Sequence, residues 1–406
     1  MSASRFFKRW QAARPSPARR GSKALLLLLC LAFMPSISSG YDFTPVEQLM
    51  QEGVNKQVFP GASIAVFHKG KTVFHQAFGN ARCTRRPTPA DTTTIYDLAS
   101  LTKVIATTAV AMQLVEHDSL DIDRPAARYL PEFGNNGKQR ITVRQLLTHT
   151  SGLRSHADYI DSCRTESELF KAVANDTPVT EPGTLTAYSD NGFIVLGKII
   201  ESITRRSLAD NFRTRFSDPL TLRSTCFTPG PELLSEIAPT SRVNSWNLNW
   251  KRPLVNDENA AIMGGVAGHA GLFGTTGDLL RFTKMLMEKG ELDGRRYFKA
   301  STIRQFTRRE GKAERALGWD LRSQEGYAST GPEFSDKSWG HLGFTGTSLW
   351  IDPEKDLAVI MLSNRVCPSS ENKDIRKFRP LLHTAVARCI GYGPASTQEI
   401  RRKSHP

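Results

Sequence analysis

Ser100 and Lys103 stand three residues apart in YDLASLTKVIATTAVAMQL, residues 96–114. A serine hydroxyl is a weak nucleophile at neutral pH and needs a base beside it. Residues three apart on a helix share a face, so a helix starting near Ser100 would bring the Lys103 amine to the Ser100 hydroxyl. A lysine in an apolar cleft loses affinity for its proton and can then accept one. The positive end of the helix dipole at Ser100 would also favour negative charge developing there. The chemistry implied is acyl transfer through a covalent seryl intermediate. An N-cap serine beside a solvated lysine would show the same two letters. The spacing recurs at Ser370 and Lys373, inside the polar run CPSSENKD, where no apolar helix follows. That copy reads as loop.

Two later stretches carry further reactive residues. GTLTAYSDNGFIVLGKIIE contains Tyr188, Ser189 and Asp190, and WGHLGFTGTSLWIDP contains His341, Leu342 and Gly343. With FPGASIAVF, LLTHTSGL, GGVAGHAGLF and LSNRV, they form an ordered set. The set resembles the motifs of the serine β-lactamase and penicillin-binding-protein superfamily, in its class C-like branch. Within that branch the chain is most similar to D-alanyl-D-alanine carboxypeptidases of the penicillin-binding protein 4B type. The likeness runs from about residue 45 to about residue 390.

The resemblance implies an exported serine acyl-enzyme hydrolase acting on peptidoglycan stem peptides, with no cofactor and no metal. Ser100 would be acylated, and Lys103 would serve as base or as the charge that tunes one. Tyr188 would relay the proton and later activate water, provided the lysine charge lowers its phenol from the usual value of about 10. The backbone N–H groups of Ser100 and Phe344 would form the oxyanion hole, where such donors contribute roughly 3 kcal/mol each. Gly343, Thr345, Asp190, Asn191, His341 and Arg365 would line the substrate site. Three positions depart from the family pattern. Asp190 stands where asparagine is usual, and Asn191 beside it could substitute. His341 replaces a lysine and Leu342 a threonine, both normally involved in binding a substrate carboxylate. Arg365 could supply the missing charge. If His341 does bind the carboxylate, its ordinary pKa near 6.5 predicts a narrowed pH optimum for anionic substrates. A carboxylesterase or β-lactamase on the same fold is the rival reading. A non-catalytic envelope-binding or sensor protein is a further one.

The elements that must position these residues are legible too. GASIAVFHKGKTVFHQAFGNA (61–81) reads as a hairpin turning at Lys69-Gly70. TSLWIDPEKDLAVIMLSN (347–364) repeats the form around an Asp-Pro-Glu-Lys-Asp turn. Helices are expected through the Ser100 segment, through TVRQLLTH with Gly152 as its C-cap, through NGFIVLGKIIESI, and through GDLLRFTKMLMEKG up to Gly290. Strands from both ends must pair into one sheet. The expected fold is α/β (α+β): an antiparallel sheet flanked by helices plus a helical region, in a domain over 41–394 with a helical insertion at roughly 96–270. The cleft between the two parts is the expected ligand site.

Composition bounds the rest. Of 406 residues, 39% are hydrophobic and 23% charged, which suits a large globular core. The first 23 residues carry seven Lys or Arg and no acid, followed by ALLLLLCLAFM and PSISSG. This is the order of a secretory signal, expected to be cut near Gly40 or else kept as an anchor. Eleven apolar residues fall short of the roughly 20 that span a bilayer. The protein is therefore expected in the periplasm or another extracytoplasmic space, with inner-membrane association through its N-terminus as the alternative. Without residues 1–40, Lys plus Arg falls from 54 to 47 against 40 acids, so the net charge drops from +14 to +7. The remaining basic residues are scattered, apart from the tail at 395–406, and no basic stripe with interleaved aromatics argues for nucleic acid. Partners are expected to be peptidoglycan or a small acyl substrate, and the protein a monomer. Cys83, Cys163, Cys226, Cys367 and Cys389 show no CxxC spacing, and their pairing is open. His269 with Asp257 and Glu258 lacks the dense spacing of a metal site, and His149 and His269 read as structural. No GxSxG elbow occurs.

Overall fold

A computed structural model describes residues 40–83, 87–241, 255–311 and 314–393. The leader up to residue 39 and the basic tail at 395–406 lie outside the described residues. The chain's first hairpin is β1 (Gly61–His68) and β2 (Lys71–Gly79). Lys69 and Gly70 both take positive φ, 49° and 77°, which matches the right-handed twist of the flanking strands. Three short pieces follow: β3 (Tyr96–Asp97), β4 (Cys226–Phe227) and β5 (Leu272–Gly274), which pair in the order β3-β5-β4. A small ribbon joins β6 (Glu291–Leu292) to β7 (Arg295–Arg296). The last four strands are β8 (Asp320–Leu321), β9 (Trp339–Leu342), β10 (Ser348–Asp352) and β11 (Leu357–Ser363). The main sheet is antiparallel and runs β2-β1-β11-β10-β9-β8. This is the β-lactamase/transpeptidase arrangement expected from the sequence.

β1 and β11 are buried at every residue. Neither alternates, because both sheet faces are covered. The helices Thr44–Asn55 and Ile375–Cys389 cover one face, and their core includes Val46, Phe59, Ile64, Val359, Trp350 and Leu382. The helix Thr276–Met287 packs on the opposite face against β1 and β11. There the core continues through Ala65, Leu98, Val104, Phe193 and Ile360 into the helical part. Thr275 caps that helix by accepting the Asp278 N–H at 3.2 Å, and the chain leaves it through Gly290 at φ 89°. The helix over TVRQLLTH ends earlier than its glycine suggests. It spans Val143–Leu147, and His149 at φ 58° takes the left-handed turn that ends it, three residues before Gly152 at φ 73°. The Thr148 hydroxyl bonds back to the Arg144 carbonyl at 2.8 Å and closes the last turn. Gly152 lies beyond, where a Cβ would sit 2.1 Å from the Thr180 carbonyl oxygen.

Cys83 and Cys367 form a disulfide across 284 residues. It ties the segment after β2 to the segment after β11, beside Asn364, whose amide donates to the Ala81 carbonyl at 2.8 Å. Cys163, Cys226 and Cys389 are free thiols. Closing so long a loop restricts the unfolded chain. Reducing the bond, or replacing Cys83 and Cys367 by serine, should therefore cost about 2–4 kcal/mol of stability. Urea titration with and without reductant measures this, and an unchanged midpoint would contradict it.

Candidate active site

The nucleophile's position begins at a strained turn. β3 leads into Ala99, which sits at φ 48°, a conformation that costs a residue with a Cβ about 1–3 kcal/mol. Asp97 holds it there. The Asp97 carboxylate, 2% exposed, accepts the Ala99 N–H at 2.8 Å and the Asn256 N–H at 2.6 Å. Burial pushes this carboxyl up to about 6, partly offset by the two N–H donors. The helix starts at the next residue but one, and Lys103–Thr108 is wound as a π-helix before the α-helix Ala109–Glu116. Such wide turns recur at functional sites.

Lys103 is 0% exposed. Its ammonium donates to Ser100 Oγ at 3.0 Å, to Asp190 Oδ1 at 2.7 Å and to the His269 carbonyl at 3.0 Å. The Asp190–Thr204 helix, capped by the Ser189 hydroxyl, presents Asp190 from its first turn. The His269 carbonyl comes from a segment that runs hard against this helix. A Cβ on Gly268 would lie 1.9 Å from the Phe193 carbonyl oxygen, so only glycine fits. Burial works to strip the proton from Lys103, but attraction to Asp190 and Tyr188 outweighs it and the amine's pKa is raised. Of the two roles expected for Lys103, base or the charge that tunes one, the raised pKa favours the charge. Burial alone would raise Asp190 as well. Lys103, His156 and His269 instead hold its carboxyl well below the carboxylate range. His156 approaches the second Asp190 oxygen at 3.4 Å and Glu258 at 3.7 Å. Its hydrogen bonds to Asp190 and Glu258 push it up to about 10, so it is charged at neutral pH.

The Tyr188 phenol lies close enough to Lys103 and Ser100 for both to lower its pKa. The Lys103 ammonium also lies 4.9 Å from its ring centroid, and the Arg315 guanidinium 5.6 Å. Burial raises this phenol more than Lys103 lowers it, contrary to the expectation of a depressed value. The resting pair is therefore ammonium and phenol. The reactive form lacks one proton, shared between the two groups. Behind Tyr188, His149 stacks at 4.6 Å. Its Nδ1 accepts the Ser189 N–H at 2.9 Å, which fixes the motif's turn. Burial, then Arg315 and Lys103, keep His149 far below its usual value, so it adds no charge.

The third motif forms the opposite wall. Thr345 Oγ1 donates to the Asp97 carbonyl at 2.7 Å and Thr347 Oγ1 to the Leu98 carbonyl at 3.0 Å. These bonds fasten the turn after β9 to the residues before Ser100. Gly343 has no room for a side chain, since a Cβ would lie 2.6 Å from the Leu98 carbonyl oxygen. The N–H groups of Ser100 and Phe344 bond to no described residue. His341 is buried, with Nδ1 on the Leu342 carbonyl at 2.8 Å and Nε2 3.9 Å from Asp320. Burial first, then Lys103 and Arg315, depress it to about 3. It is neutral throughout the physiological range, so the narrowed pH optimum expected from its titration does not follow.

These parts surround a cleft of about 890 Å³. Ser100, Tyr188, Asp190, His341, Gly343, Phe344 and Arg365 all line it. Asn191 and Thr345 do not. Asn191 turns inward, its amide on the Tyr159 hydroxyl at 3.1 Å, because consecutive helical residues point about 100° apart. Thr345 is spent on the Asp97 carbonyl. The Ser370–Lys373 copy lies in a turn, and its Ser370 carbonyl accepts from Arg365. Asp257 pairs with His269 at 2.8 Å, and no metal-binding group of three His, Cys, Asp or Glu occurs among the described residues. Sequence reasoning missed His156, Arg315, Tyr327 and Arg379. None has a motif spacing to the reactive residues. Tyr327 alone left a partial signal, in Pro380 inside the last helix. Proline removes the N–H that would pair with the Arg376 carbonyl, and the Tyr327 hydroxyl takes that carbonyl at 2.7 Å.

The profile of the family described as Beta-lactamase matches residues 46–382. A Salmonella agona protein named "Putative D-alanyl-D-alanine carboxypeptidase" is 30% identical over 346 residues, covering 76% of this chain and 79% of its own. A penicillin-binding protein homologue from Caulobacter crescentus superposes with a TM-score of 0.68 at 20% identity, over 86% of this chain and 97% of its own. A family VIII carboxylesterase gives a TM-score of 0.68 at 24% identity, with the same coverages.

Asp190 keeps the proton on Lys103 and also raises Tyr188. Asp190→Asn should lower both, so the rise of kcat/KM with pH should move to lower pH by about 1–3 units. A pH–rate profile with a neutral activated ester reads this. An unmoved or alkaline-shifted limb would show that another group sets the proton.

Proposed function

Because the chain belongs to the β-lactamase family and is a serine hydrolase of it, we propose that it removes the terminal residue from peptides ending in D-alanine, outside the cytoplasm. The observation that carries this reading is the charge on the cleft's far wall. Arg376 opens the last helix and Lys373 precedes it; both line the cleft with Ser100. Neither has a carboxylate within 4 Å among the described residues. A peptide acylating Ser100 would extend its terminal carboxylate toward them, and the neutral His341 would need no charge. The disulfide supports the extracytoplasmic setting, since such bonds persist in oxidising compartments.

In this reading the Lys103–Tyr188 pair, one proton short, takes the Ser100 proton as Oγ attacks the scissile carbonyl. The oxyanion forms between the Ser100 and Phe344 N–H groups. Tyr188 returns the proton to the departing amine, and D-alanine leaves. Water then attacks the acyl-enzyme, giving its proton to the same pair, and Ser100 is regenerated.

An ester hydrolase is the second reading, favoured by one observation. Phe344, 55% exposed, and Tyr327 present aromatic surface to the cleft, which suits an apolar acyl or alcohol group. Release of D-alanine from a D-alanyl-D-alanine peptide, set against hydrolysis of a neutral p-nitrophenyl ester, separates the two. Ser100→Ala should lower either activity by several orders of magnitude, while Ser370→Ala leaves it unchanged. Replacing Lys373 and Arg376 together by alanine should raise KM for the peptide roughly threefold to tenfold, as expected of exposed charges, and leave the ester unaffected. Equal effects on both substrates would remove the carboxylate from the reading.

A further inference from the structure

We propose that Arg379, seconded by Arg365, is a positioning residue that orients and polarises the peptide carrying the Phe344 N–H, the second donor of the oxyanion hole. The inference rests on Ser100 acting as the nucleophile and is independent of which acyl substrate it takes. In a trans peptide the C=O and N–H point to opposite sides. The Phe344 N–H shares its peptide with the Gly343 carbonyl. Arg379 Nη2 donates to that carbonyl at 2.9 Å and to the Thr347 carbonyl at 2.7 Å. On the next peptide, Arg365 Nε donates to the Phe344 carbonyl at 2.8 Å, and its guanidinium lies 4.6 Å from the Phe344 ring centroid. Both peptides flanking Phe344 are therefore gripped at their oxygens by guanidinium groups. A cation at the oxygen end draws electron density from the N–H end and makes it a better donor. It also fixes the peptide plane before reaction, so no reorganisation is needed as charge develops.

Arg365 also donates to the Ser370 and Asn372 carbonyls at 3.0 and 2.7 Å, but the burial of Arg379, whose carbonyl partners all belong to the turn around Phe344, is hard to account for otherwise. Arg379 is 4% exposed and Arg365 7%, and neither has a carboxylate within 4 Å among the described residues. Burying a cation without a counter-ion is costly. The Gly343 carbonyl already accepts the Gly346 N–H at 3.2 Å, so a neutral side chain would satisfy the turn. Burial, eased by Tyr327 and worsened by Arg365, brings Arg379 down to about 10, which leaves it charged at neutral pH. The negative charge that suits these two cations is the transient oxyanion, formed where the unpaired Phe344 N–H points.

The test uses a neutral p-nitrophenyl ester and a boronic acid, which forms a tetrahedral adduct on a reactive serine. Arg379→Gln keeps a donor and removes the charge. It should lower kcat about 10- to 100-fold, a fraction of the loss of a whole oxyanion donor. KM should stay within about twofold, and boronate affinity should fall in step with kcat. Arg379→Lys should recover part of both, and added guanidinium should restore part of both to Arg379→Ala. Thermal melts identify a variant that fails to fold; guanidinium rescue and Arg365→Gln, with a smaller loss, then carry the test. Unchanged boronate affinity in Arg379→Gln, with Ser100-dependent ester turnover intact in the wild type, overturns the brace alone. A wild type inert to ester and boronate overturns the brace and the nucleophile together. Ester turnover without D-alanine release overturns the peptidase reading and leaves the brace standing.

Discussion

The buried ammonium of Lys103 is the constraint around which the site is arranged. A fully enclosed cation is tolerated only when its donors are occupied and a counter-ion lies close. Its partners come from three separate parts of the chain: Ser100 one turn earlier, Asp190 at the head of another helix, and the His269 carbonyl from a glycine-rich segment. Satisfying one side chain thus fixes the relative placement of all three. The same arrangement places Tyr188, two residues before Asp190, against both Ser100 and Lys103. Catalytic geometry and the electrostatic requirement of one lysine are one problem here.

Much of this was legible in the residues. Lys69-Gly70 marked the first hairpin, the apolar spacing of NGFIVLGKIIESI and GDLLRFTKMLMEKG marked two helices, and the Ser100–Lys103 spacing placed hydroxyl and amine on one helical face. Protonation was not legible, because it depends on groups brought together by the fold. Asp190 and Tyr188 lie far from Lys103 in sequence, yet they decide that it keeps its proton. The same limit applies to Asn191, turned away by helical geometry that letters alone did not assign. It applies to the pairing of Cys83 with Cys367 and to Arg379, whose partners are backbone carbonyls. A backbone acceptor leaves no mark on composition or spacing.

The third motif shows how a charge can change place without the architecture changing. A histidine sits where a lysine is usual, and its surroundings of Lys103, Arg315 and burial make it neutral. Positive charge on the cleft comes instead from Arg365, Lys373, Arg376 and Arg379, at the other end of the chain. Proton transfer is organised by the helices that follow Ser100 and Ser189, whereas the basic wall hangs on the last helix and the loop before it. The basic wall and the proton-transfer groups are therefore carried by different elements, which meet at Phe344, whose flanking peptides Arg365 and Arg379 hold.

The pairing of β1 with β11, Ala62 opposite Ser363, has a consequence for how the protein is made. These two neighbouring inner strands of the main sheet are separated by nearly the whole domain. A chain emerging N-terminus first can form the β1–β2 hairpin early, but the other edge of β1, an apolar GASIAVFH, stays open until the last strands arrive. Long-range pairing of this kind slows folding, and an open apolar edge invites pairing with other chains. The nascent chain thus carries an unpaired apolar strand edge until its last strands are made.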